Sequence, residues 1–289
     1  MELPDIFEKP EVIKLIQLAL IEDLGPDKRD VTSDSLVPPE EIAEAHMVAR
    51  EACRLAGVTV AAEVFRQVDP DLECEVCVAD GSVVDQGAVV LVIKGSAQRI
   101  LTAERTALNF IQRMSGVATV TAEYVRQAGN PEVMLLDTRK TTPALRPFEK
   151  YSVLCGGGTN HRYGLFDAVL IKDNHLASWK KKHGTGVGEA VAAARAKYPD
   201  LKIEVEVDTI EQLREALTTR PDWVLLDNMP PPVLRECVAL CKGICQTEAS
   251  GGINLDTIHG IAQTGVDAIS VGALTHSAPS IDLALDFVA

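Results

Sequence analysis

The second half of this chain alternates short apolar runs with segments of helical character. The apolar runs lie at 133–140, 168–175, 201–209, 222–228, 245–252 and 268–273. Amphipathic stretches such as Gly188–Lys197 and Ile210–Thr218 separate several of them. Alternation of this kind predicts a parallel sheet whose strands are connected by helices. A closed barrel needs about two more strand–helix units than are found, so we expect an open, incomplete parallel α/β barrel.

The first hundred or so residues lack this alternation. Residues 11–24 carry apolar side chains at helical spacing, and a second helix is predicted at about 58–67. Strands are predicted at Ala45–Arg50, Leu72–Val78 and Val89–Ile93, and turn-forming glycines and aspartates lie between the last two. This mixture predicts an α+β layer structure with an antiparallel sheet.

The charge balance excludes several classes of partner. The chain has 28 basic and 42 acidic residues, a formal net charge of −14, which disfavours general binding to nucleic acid or to an anionic membrane. No run approaches the roughly 18 apolar residues of a membrane span, and the N-terminus is acidic where a secretory signal would be basic. The seven cysteines are an odd number and suit free thiols in a reducing compartment. We therefore expect a cytoplasmic protein.

Two cysteine patterns have structural explanations. Cys74 and Cys77 form a C-x-x-C, but no second pair with ligand spacing accompanies them and their segment is strand-like, so a zinc site is disfavoured. Cys237, Cys241 and Cys245 recur every four residues, which is typical of a packed stripe on a helix.

Polar side chains end each apolar run of the second half. In chain order the ends are Thr138-Arg139-Lys140, Lys172-Asp173-Asn174-His175, Glu204 with Glu206, Asp227-Asn228, Ser250-Gly251-Gly252 and Ser270-Val271-Gly272. The carboxyl ends of the strands in a parallel barrel lie on one face, and that face hosts the active site. We therefore expect these residues to meet at one rim that combines cations, carboxylates and two glycine loops.

The carboxylates at this rim are candidate ligands. Glu204 and Glu206 alternate and so point to one face of their strand. On an exposed edge strand they would be solvated charges, but an unpaired carboxylate within an apolar central strand is costly. We expect Glu206, which is nearer the rim, to meet a cation, a metal or a sugar hydroxyl, whereas for Glu204 such a role and a purely structural one are equally favoured. Asp227 follows an apolar run in the same way and suits ribose hydroxyls or Mg²⁺.

The loops at 250–252 and 270–272 predict a phosphate site. Glycine lets backbone N–H groups approach an oxyanion closely, and barrels often bind phosphate after their last strands. One such loop is weak support for phosphate binding, whereas two on successive final strands are stronger.

A net positive stretch in this acidic chain supplies the cations that an anionic ligand needs. Its basic residues are Arg139, Lys140, Arg146, Lys150, His161, Arg162, Lys172 and His175. Three glycines at 156–158 permit unusual backbone geometry just before the His161–Arg162 pair. Arg105 opens a helical stretch, and the pattern around it is equally consistent with an ordinary surface arginine.

Eight motifs together resemble the quinolinate phosphoribosyltransferases, also called carboxylating nicotinate-nucleotide pyrophosphorylases. They are ERTALNFIQRMSG (104–116), DTRKTTP (137–143), CGGGTNHR (155–162), LIKDNH (170–175), EVEV (204–207), LLDN (225–228), EASGGI (248–253) and ISVGALTHS (269–277). The similarity runs in order over roughly residues 10 to 287. Ala144 stands where members usually carry glycine, and the basic stretch 179–188 is expected to be a mobile surface loop.

The resemblance implies a subunit of two domains, an α/β sandwich at 1–115 and an open barrel at 116–275, with a C-terminal helix at 276–289 packing against the sandwich. It implies a homodimer or higher oligomer in which the sandwich of a second subunit covers the barrel mouth. The implied reaction joins quinolinate to phosphoribosyl pyrophosphate (PRPP) with Mg²⁺. It releases pyrophosphate and CO₂ and gives nicotinate mononucleotide for NAD synthesis.

The same motifs imply a role for each candidate residue. The implied quinolinate-binding residues are Arg105 (from a neighbouring subunit), Thr138, Arg139, His161 and Arg162. The residues implied to be catalytic and to contact PRPP are Lys140, Lys172, Glu206 and Asp227, with Glu206 and Asp227 also holding Mg²⁺. The two loops, Ser250, Gly251 and Gly252 with Ser270, Val271 and Gly272, are implied to bind the 5′-phosphate.

Three other functions are compatible with parts of the pattern. A nicotinate phosphoribosyltransferase of the same layout would take a monocarboxylate, whereas Arg105, Arg139 and Arg162 together favour two carboxylates. Lys140 or Lys172 could instead form a Schiff base in an aldolase-like barrel. A non-catalytic phosphate sensor would bind PRPP without releasing CO₂.

Overall fold

The computed structural model describes residues 3–184 and 186–288. The chain divides into two compact units. The first comprises Met1–Ala122, Thr141–Gly157 and Leu274–Ala289, and the second comprises Glu123–Lys140 and Gly158–Ala273. The predicted sandwich combined residues 1–115 with 276–289, and the first unit also includes 116–122 and Thr141–Gly157, which lie within the range predicted for the barrel.

The elements are numbered in chain order. The helices are α1 (Pro10–Leu24), α2 (Val31–Leu36), α3 (Val58–Val68), α4 (Ala97–Ala128), α5 (Arg146–Cys155), α6 (Asp173–His183), α7 (Val187–Lys197), α8 (Ile210–Leu217), α9 (Pro231–Cys241), α10 (Ile258–Ala262) and α11 (Ala273–His276). The strands are β1 (Ile42–Ala49), β2 (Cys53–Arg54), β3 (Glu73–Val76), β4 (Val83–Val84), β5 (Val89–Ser96), β6 (Met134–Leu136), β7 (Val169–Ile171), β8 (Ile203–Val207), β9 (Trp223–Asp227), β10 (Gln246–Ser250), β11 (Ala268–Ser270) and β12 (Leu283–Phe287). None of the described helices is long and apolar enough to cross a bilayer.

The first unit is built on a four-stranded antiparallel sheet in the order β12, β1, β5, β3. Helix α1 buries Val12, Ile16 and Leu20, whose spacing of four places them on one face. Helix α3 packs against β3 and buries Phe65 completely. These apolar faces form one core with the sheet. The layered α/β sandwich with an antiparallel sheet is therefore confirmed.

The C-terminal segment ends as a strand, which corrects the helix predicted at 276–289. Helix α11 stops at His276, and β12 pairs antiparallel with β1. Residues 282–287, DLALDF, place large apolar side chains at every second position. This period of two belongs to a strand and not to a helix, and it directs Leu283 into the core of the first unit.

The second unit contains six parallel strands in the order β6, β11, β10, β9, β8, β7. Strand β6 is the first of these in the chain, yet it pairs with the last, β11, so the sheet curls round on itself. Within residues 3–184 and 186–288, β6 and β7 do not pair, and the barrel stays open between them. The six predicted apolar runs contain these six strands, and the open parallel α/β barrel is confirmed.

A short stretch of chain, 159–162, lies along β6 at this opening. The amide of Thr159 donates to the carbonyl of Leu135 at 2.7 Å, and the amide of Asp137 donates to the carbonyl of Thr159 at 3.2 Å. A parallel bridge joins Leu136 to Thr159. The stretch therefore takes a strand-like position beside the open edge of the sheet.

The basic stretch 179–188 is helical over most of its length, which corrects the loop predicted there. Helix α6 continues to His183, and α7 begins at Val187. Gly184, with φ of +70°, ends α6 in the left-handed conformation typical of helix C-termini. The basic side chains of 180–183 lie in the last turn, where the helix dipole favours positive charge. Thr185 lies outside the described residues.

Candidate active site

The strand-end residues of the second unit follow strands that all run in the same direction. Because the six strands are parallel and neighbouring strands are in register, their carboxyl ends lie along one edge of the barrel. This rim carries residues 138–140, 172, 206, 227, 250–252 and 270–272, as predicted. Arg105 belongs to the first unit, where it lies on α4 with an exposed side chain.

Lys172 and Glu206 form an ion pair at the rim. Nζ of Lys172 donates to Oε2 of Glu206 at 2.5 Å. Burial raises the pKa of Asp227, and the negative charges of Glu206 and Asp208 raise it further. These carboxylates therefore accumulate more negative charge than the one lysine neutralises, which makes this end of the rim attractive to a cation.

Glu206 and Asp227 fit a hard divalent cation. Both offer carboxylate oxygens, the ligands that Mg²⁺ prefers, and they lie on neighbouring strands, β8 and β9. The amide nitrogen of the Asn228 side chain donates to Oδ2 of Asp227 at 2.7 Å and helps to orient that carboxylate. Asp208 was not among the predicted site residues, although its negative charge raises the pKa of Asp227.

Arg139 and Arg162 form the cationic part of the site. Burial lowers the pKa of Arg162, and the positive charge of Arg139 lowers it further, so the two charges act on each other. Nη1 of Arg162 donates to the carbonyl of Ala168 at 3.1 Å. The hydroxyl of Thr138 accepts from the amide of Lys140 at 3.0 Å, which shapes the turn after β6. Two neighbouring guanidinium groups suit a ligand with two carboxylates.

His161 lies between two buried carboxylates. Its Nε2 is 3.0 Å from Oε2 of Glu204 and 3.2 Å from Oε2 of Glu248. The residues Glu204 and Glu248 are 7% and 1% exposed. Among the described residues, Oε1 of Glu204 has no hydrogen-bond partner. The three side chains line a cavity of about 330 Å³ together with Asn160 and Arg162.

The titration of this cluster departs from that of isolated groups. Burial opposes a charge on His161, and its hydrogen bonds to Glu204 and Glu248 raise its pKa. The amide of Arg162 donates to Nδ1 at 2.7 Å and so opposes a second ring hydrogen, which keeps the ring neutral with its one hydrogen on Nε2. Burial also raises the pKa of Glu204, with the charge of Glu248 adding to the effect. The cluster therefore retains more protons at neutral pH than three separate groups would.

Glu248 and Asp137 are polar residues of the site that were not among the predicted site residues. Both are buried, and Oδ1 of Asp137 accepts from the amide of His161 at 2.8 Å. Glu204 was singled out because it interrupts the apolar strand β8, IEVEV, but β10 has the sequence QTEAS and is mostly polar. The sequence therefore offered no comparable signal for Glu248.

The backbone of the loop at 250–252 disfavours ordinary side chains, whereas the loop at 270–272 is held by a hydrogen bond to β6. Gly251 and Gly252 have φ of +96° and +61°. A Cβ at Gly251 would come within 2.3 Å of Oδ1 of Asn228. The amide of Val271 donates to the carbonyl of Leu136 at 3.0 Å, which ties the second loop to β6. The 156–158 glycines serve two purposes, because Gly157 has φ of +88° while a Cβ at Gly156 would lie 2.5 Å from the carbonyl of Ala118.

An open parallel barrel with paired guanidinium groups, a lysine–carboxylate pair and glycine loops at one rim defines a protein that acts on small, multiply charged anions. Comparison with known families makes this specific. Residues 117–286 match the model described as quinolinate phosphoribosyl transferase, C-terminal domain, and residues 30–115 match the N-terminal domain. The chain therefore belongs to the quinolinate phosphoribosyl transferase family.

Individual relatives agree with this membership. The chain is 41% identical over 273 residues to a probable nicotinate-nucleotide pyrophosphorylase [carboxylating] of Bacillus subtilis, covering 94% of this chain and 92% of the relative. It is 43% identical over 291 residues to a mitochondrial quinolinate phosphoribosyltransferase [decarboxylating] of Nicotiana glauca, covering 94% and 81%. The solved structure of the nicotinate-nucleotide pyrophosphorylase from Francisella tularensis superimposes with a TM-score of 0.90 at 39% identity, covering 96% of each chain.

Proposed function

We propose that this protein transfers the phosphoribosyl group of PRPP to quinolinate and releases pyrophosphate and CO₂. The product, nicotinate mononucleotide, serves de novo NAD biosynthesis. The observation that carries the proposal is that Arg139, the Lys172–Glu206 ion pair and Asp227 all lie at the carboxyl ends of parallel strands on one barrel rim. One part suits a dicarboxylate and the other suits a pyrophosphorylated sugar. Relatives over most of the chain bear the names of this activity, so nicotinate phosphoribosyltransferase is not favoured.

Quinolinate binding is proposed for the arginine end of the site. Arg139 and Arg162 would hold the two carboxylates in forked hydrogen bonds, with Thr138 and His161 beside them. Arg105 would reach the same ligand from a neighbouring subunit, and its exposed side chain supports this role. Lysines alone would bind as point charges and would orient the ring less well.

PRPP binding is proposed for the other end. The loops at 250–252 and 270–272 would bind the 5′-phosphate through backbone N–H groups, because their glycines allow close approach. Lys140 and Lys172 would neutralise the pyrophosphate as it leaves. Glu206 and Asp227 would bind the ribose hydroxyls and stabilise the positive charge that develops on the anomeric carbon.

Mg²⁺ is the proposed cofactor, held by Glu206, Asp227 and the substrate. When bound, it would supply positive charge that stabilises the departing pyrophosphate. After transfer, the pyridine nitrogen is positively charged, so electrons released by loss of the adjacent carboxylate are stabilised beside it. The protein then has to hold the ring and exclude bulk water until a proton takes the place of CO₂ on that carbon, and no nucleophilic Ser or Cys is needed.

The proposal is tested by following products with quinolinate and nicotinate side by side. With PRPP and carboxyl-labelled quinolinate, we expect labelled CO₂ and nicotinate mononucleotide, and little product from nicotinate. Arg139→Ala is expected to weaken quinolinate binding far more than PRPP binding. Turnover of nicotinate in preference to quinolinate, PRPP binding without CO₂ release, or a borohydride-trapped lysine adduct would each overturn the assignment.

We further propose a homodimer or higher oligomer with shared sites, located in the cytoplasm. The compartment is supported by the seven cysteines, none of which forms a disulfide in the portion of the chain that is described. Sharing is tested by mixing inactive Arg105→Ala subunits with inactive Lys172→Ala subunits. A heterodimer would contain one intact site and regain part of the activity. Verified heterodimers without recovery would contradict shared sites.

A further inference from the structure

The ring of His161 uses both of its nitrogens to join parts of the barrel. The amide of Arg162 donates to Nδ1 at 2.7 Å, so Nδ1 acts as an acceptor and carries no hydrogen. The hydrogen of the ring is therefore on Nε2, which faces Oε2 of Glu204 and Oε2 of Glu248. The ring thereby connects β8 and β10 to the backbone of the chain stretch beside β6.

This hydrogen-bond direction argues against a metal at the same three side chains. A cation on Nε2 would displace its hydrogen, and a neutral ring would then carry a hydrogen on Nδ1. That hydrogen would point at the amide N–H of Arg162, where two donors would meet. The ring of His161 is therefore oriented for hydrogen bonds to carboxylates and not for metal coordination.

The chain held by this ring carries Arg162. Residues 159–162 are attached to β6 by the hydrogen bond from Thr159 to Leu135 and by the bond from the amide of His161 to Asp137. The hydrogen bonds of the His161 ring attach this stretch to β8 and β10 as well. Nε2 of His161 bonds to Glu204, and Nδ1 accepts from the amide of the next residue, Arg162.

Arg162 needs this support because a like charge lies beside it. The positive charge of Arg139 lowers the pKa of Arg162, which is the effect of a nearby like charge. A flexible backbone at 159–162 would let Arg162 move away from its neighbour. A displacement of about 1 Å from the productive geometry is enough to cost about a hundredfold in activity.

We infer that Glu204 and Glu248 are positioning residues for substrate recognition, which hold the His161 ring so that its Nδ1 fixes the backbone of Arg162 beside Arg139. The inference rests on the proposed function, in which these arginines bind the two carboxylates of quinolinate. It also assigns His161 a bracing role through its ring nitrogens. Glu204 and Glu248 do not themselves contact the substrate in this scheme.

Glu248→Leu tests the inference because leucine keeps the bulk of the side chain and removes the acceptor. We expect the KM for quinolinate to rise about tenfold or more while the KM for PRPP changes by less than about twofold. Glu248→Gln keeps an acceptor oxygen at the same length, and we expect it to restore most of the affinity. If Glu248→Leu does not fold, Glu248→Ala takes its place, because water can fill the space beside the 330 Å³ cavity.

Thr247→Val is the matched control. Thr247 is the neighbour of Glu248 in β10, is equally buried, and bonds to Asp267 at 2.8 Å. Its loss is expected to lower stability without changing the KM for quinolinate. If Glu248→Leu raised both KM values equally, or left both unchanged, the positioning role would be refuted.

A spectroscopic measurement separates this inference from the proposed function. In protein labelled with nitrogen-15 histidine, we expect His161 to show hydrogen on Nε2 and none on Nδ1, with its signals identified by their loss in His161→Gln. The pattern is expected to change in Glu248→Leu and to persist in Thr247→Val. Hydrogen on Nδ1 in the unchanged protein would refute the positioning role of Glu204 and Glu248. Absence of quinolinate turnover would refute the proposed function alone.

Discussion

The two units of this protein each bury glutamates, but they treat them differently. In the first unit, Glu149 is 1% exposed, and both its oxygens are engaged: Oε1 accepts from Nη2 of Arg113 and the hydroxyl of Thr142 at 2.8 Å, and Oε2 accepts from the amide of Thr142 at 3.0 Å. In the second unit, Glu204 shares a histidine with Glu248, and no described residue bonds to its Oε1.

This difference distinguishes a buried carboxylate that stabilises the fold from one that belongs to a functional site. When both oxygens of a carboxylate are hydrogen-bonded within its own unit, those bonds offset the free-energy cost of removing it from water. Such a carboxylate stabilises the fold. Carboxylates that crowd one another inside the barrel keep an electrostatic cost in the resting protein. Such a cost is typical of a site that is completed by ligands. Four measurements test this difference between the two units.

The largest expected effect is on activity, from Asp227→Asn. This change removes a charge that burial and the neighbouring carboxylates disfavour, so stability is expected to stay the same or increase. The rate constant kcat/KM is expected to fall by about 10² to 10³, because the amide stabilises positive charge poorly. Steady-state kinetics and thermal melting of the same sample check both expectations. A marked loss of stability would place Asp227 with the structural carboxylates.

Glu149→Ala is expected to show the opposite behaviour. Removing this acceptor leaves Arg113 without its carboxylate in a largely buried place and costs about 3 to 5 kcal/mol of stability. Turnover per folded molecule is expected to change little. Urea unfolding, with active-site titration of the folded fraction, measures the two quantities separately. Full stability together with lost turnover would remove the contrast between the units.

Asp80 tests the structural unit through pH. It is buried, its Oδ1 accepts from the amide of Val58 at 2.9 Å, and its Oδ2 accepts from the hydroxyl of Tyr151 at 3.0 Å. Burial raises the pKa of Asp80, so the folded state binds its proton more tightly than the unfolded state. The stability this contributes is present at low pH and is lost as pH rises through the folded pKa.

The comparison with Asp80→Asn isolates this contribution. The unchanged protein is expected to lose stability relative to the variant as pH rises from about 4, with a slope of at most about 1.4 kcal/mol per pH unit. Denaturant midpoints measured across pH give the slope. A difference independent of pH, or one of the opposite sign, would show that the hydrogen bonds outweigh burial.

The smallest expected effect is from Ala144→Gly. Ala144 has φ of +67°, a left-handed conformation that costs a residue with a Cβ about 1 kcal/mol and that glycine adopts freely. The greater freedom of glycine in the unfolded chain offsets part of this gain, so an increase of up to about 1 kcal/mol is expected. A melting curve detects it. A decrease would show that the strain is relieved by contacts of the alanine methyl group.

Much of the fold could be predicted because it depends on local patterns. The apolar runs of the second half became β6 to β11, and helices at 10–24 and 58–68 matched their apolar spacing. Where two patterns compete over a short stretch, prediction was wrong: 282–287 forms a strand because β1 offers it an edge to pair with. The cap at Gly184 similarly decided that 179–183 is helical.

The positions of Lys172, Glu206 and Asp227 at the carboxyl ends of parallel strands could be predicted from the sequence, because strand direction and side-chain alternation are properties of the chain. The contact of His161 with Glu204 and Glu248 could be seen only in the tertiary structure. The three residues come from segments about forty residues apart, and no local sequence pattern predicts that they meet. The tertiary structure also decided which nitrogen of His161 carries hydrogen, because that depends on the backbone amide of Arg162. Contacts across strands follow from how the sheet curls, and that curvature is a property of the whole unit.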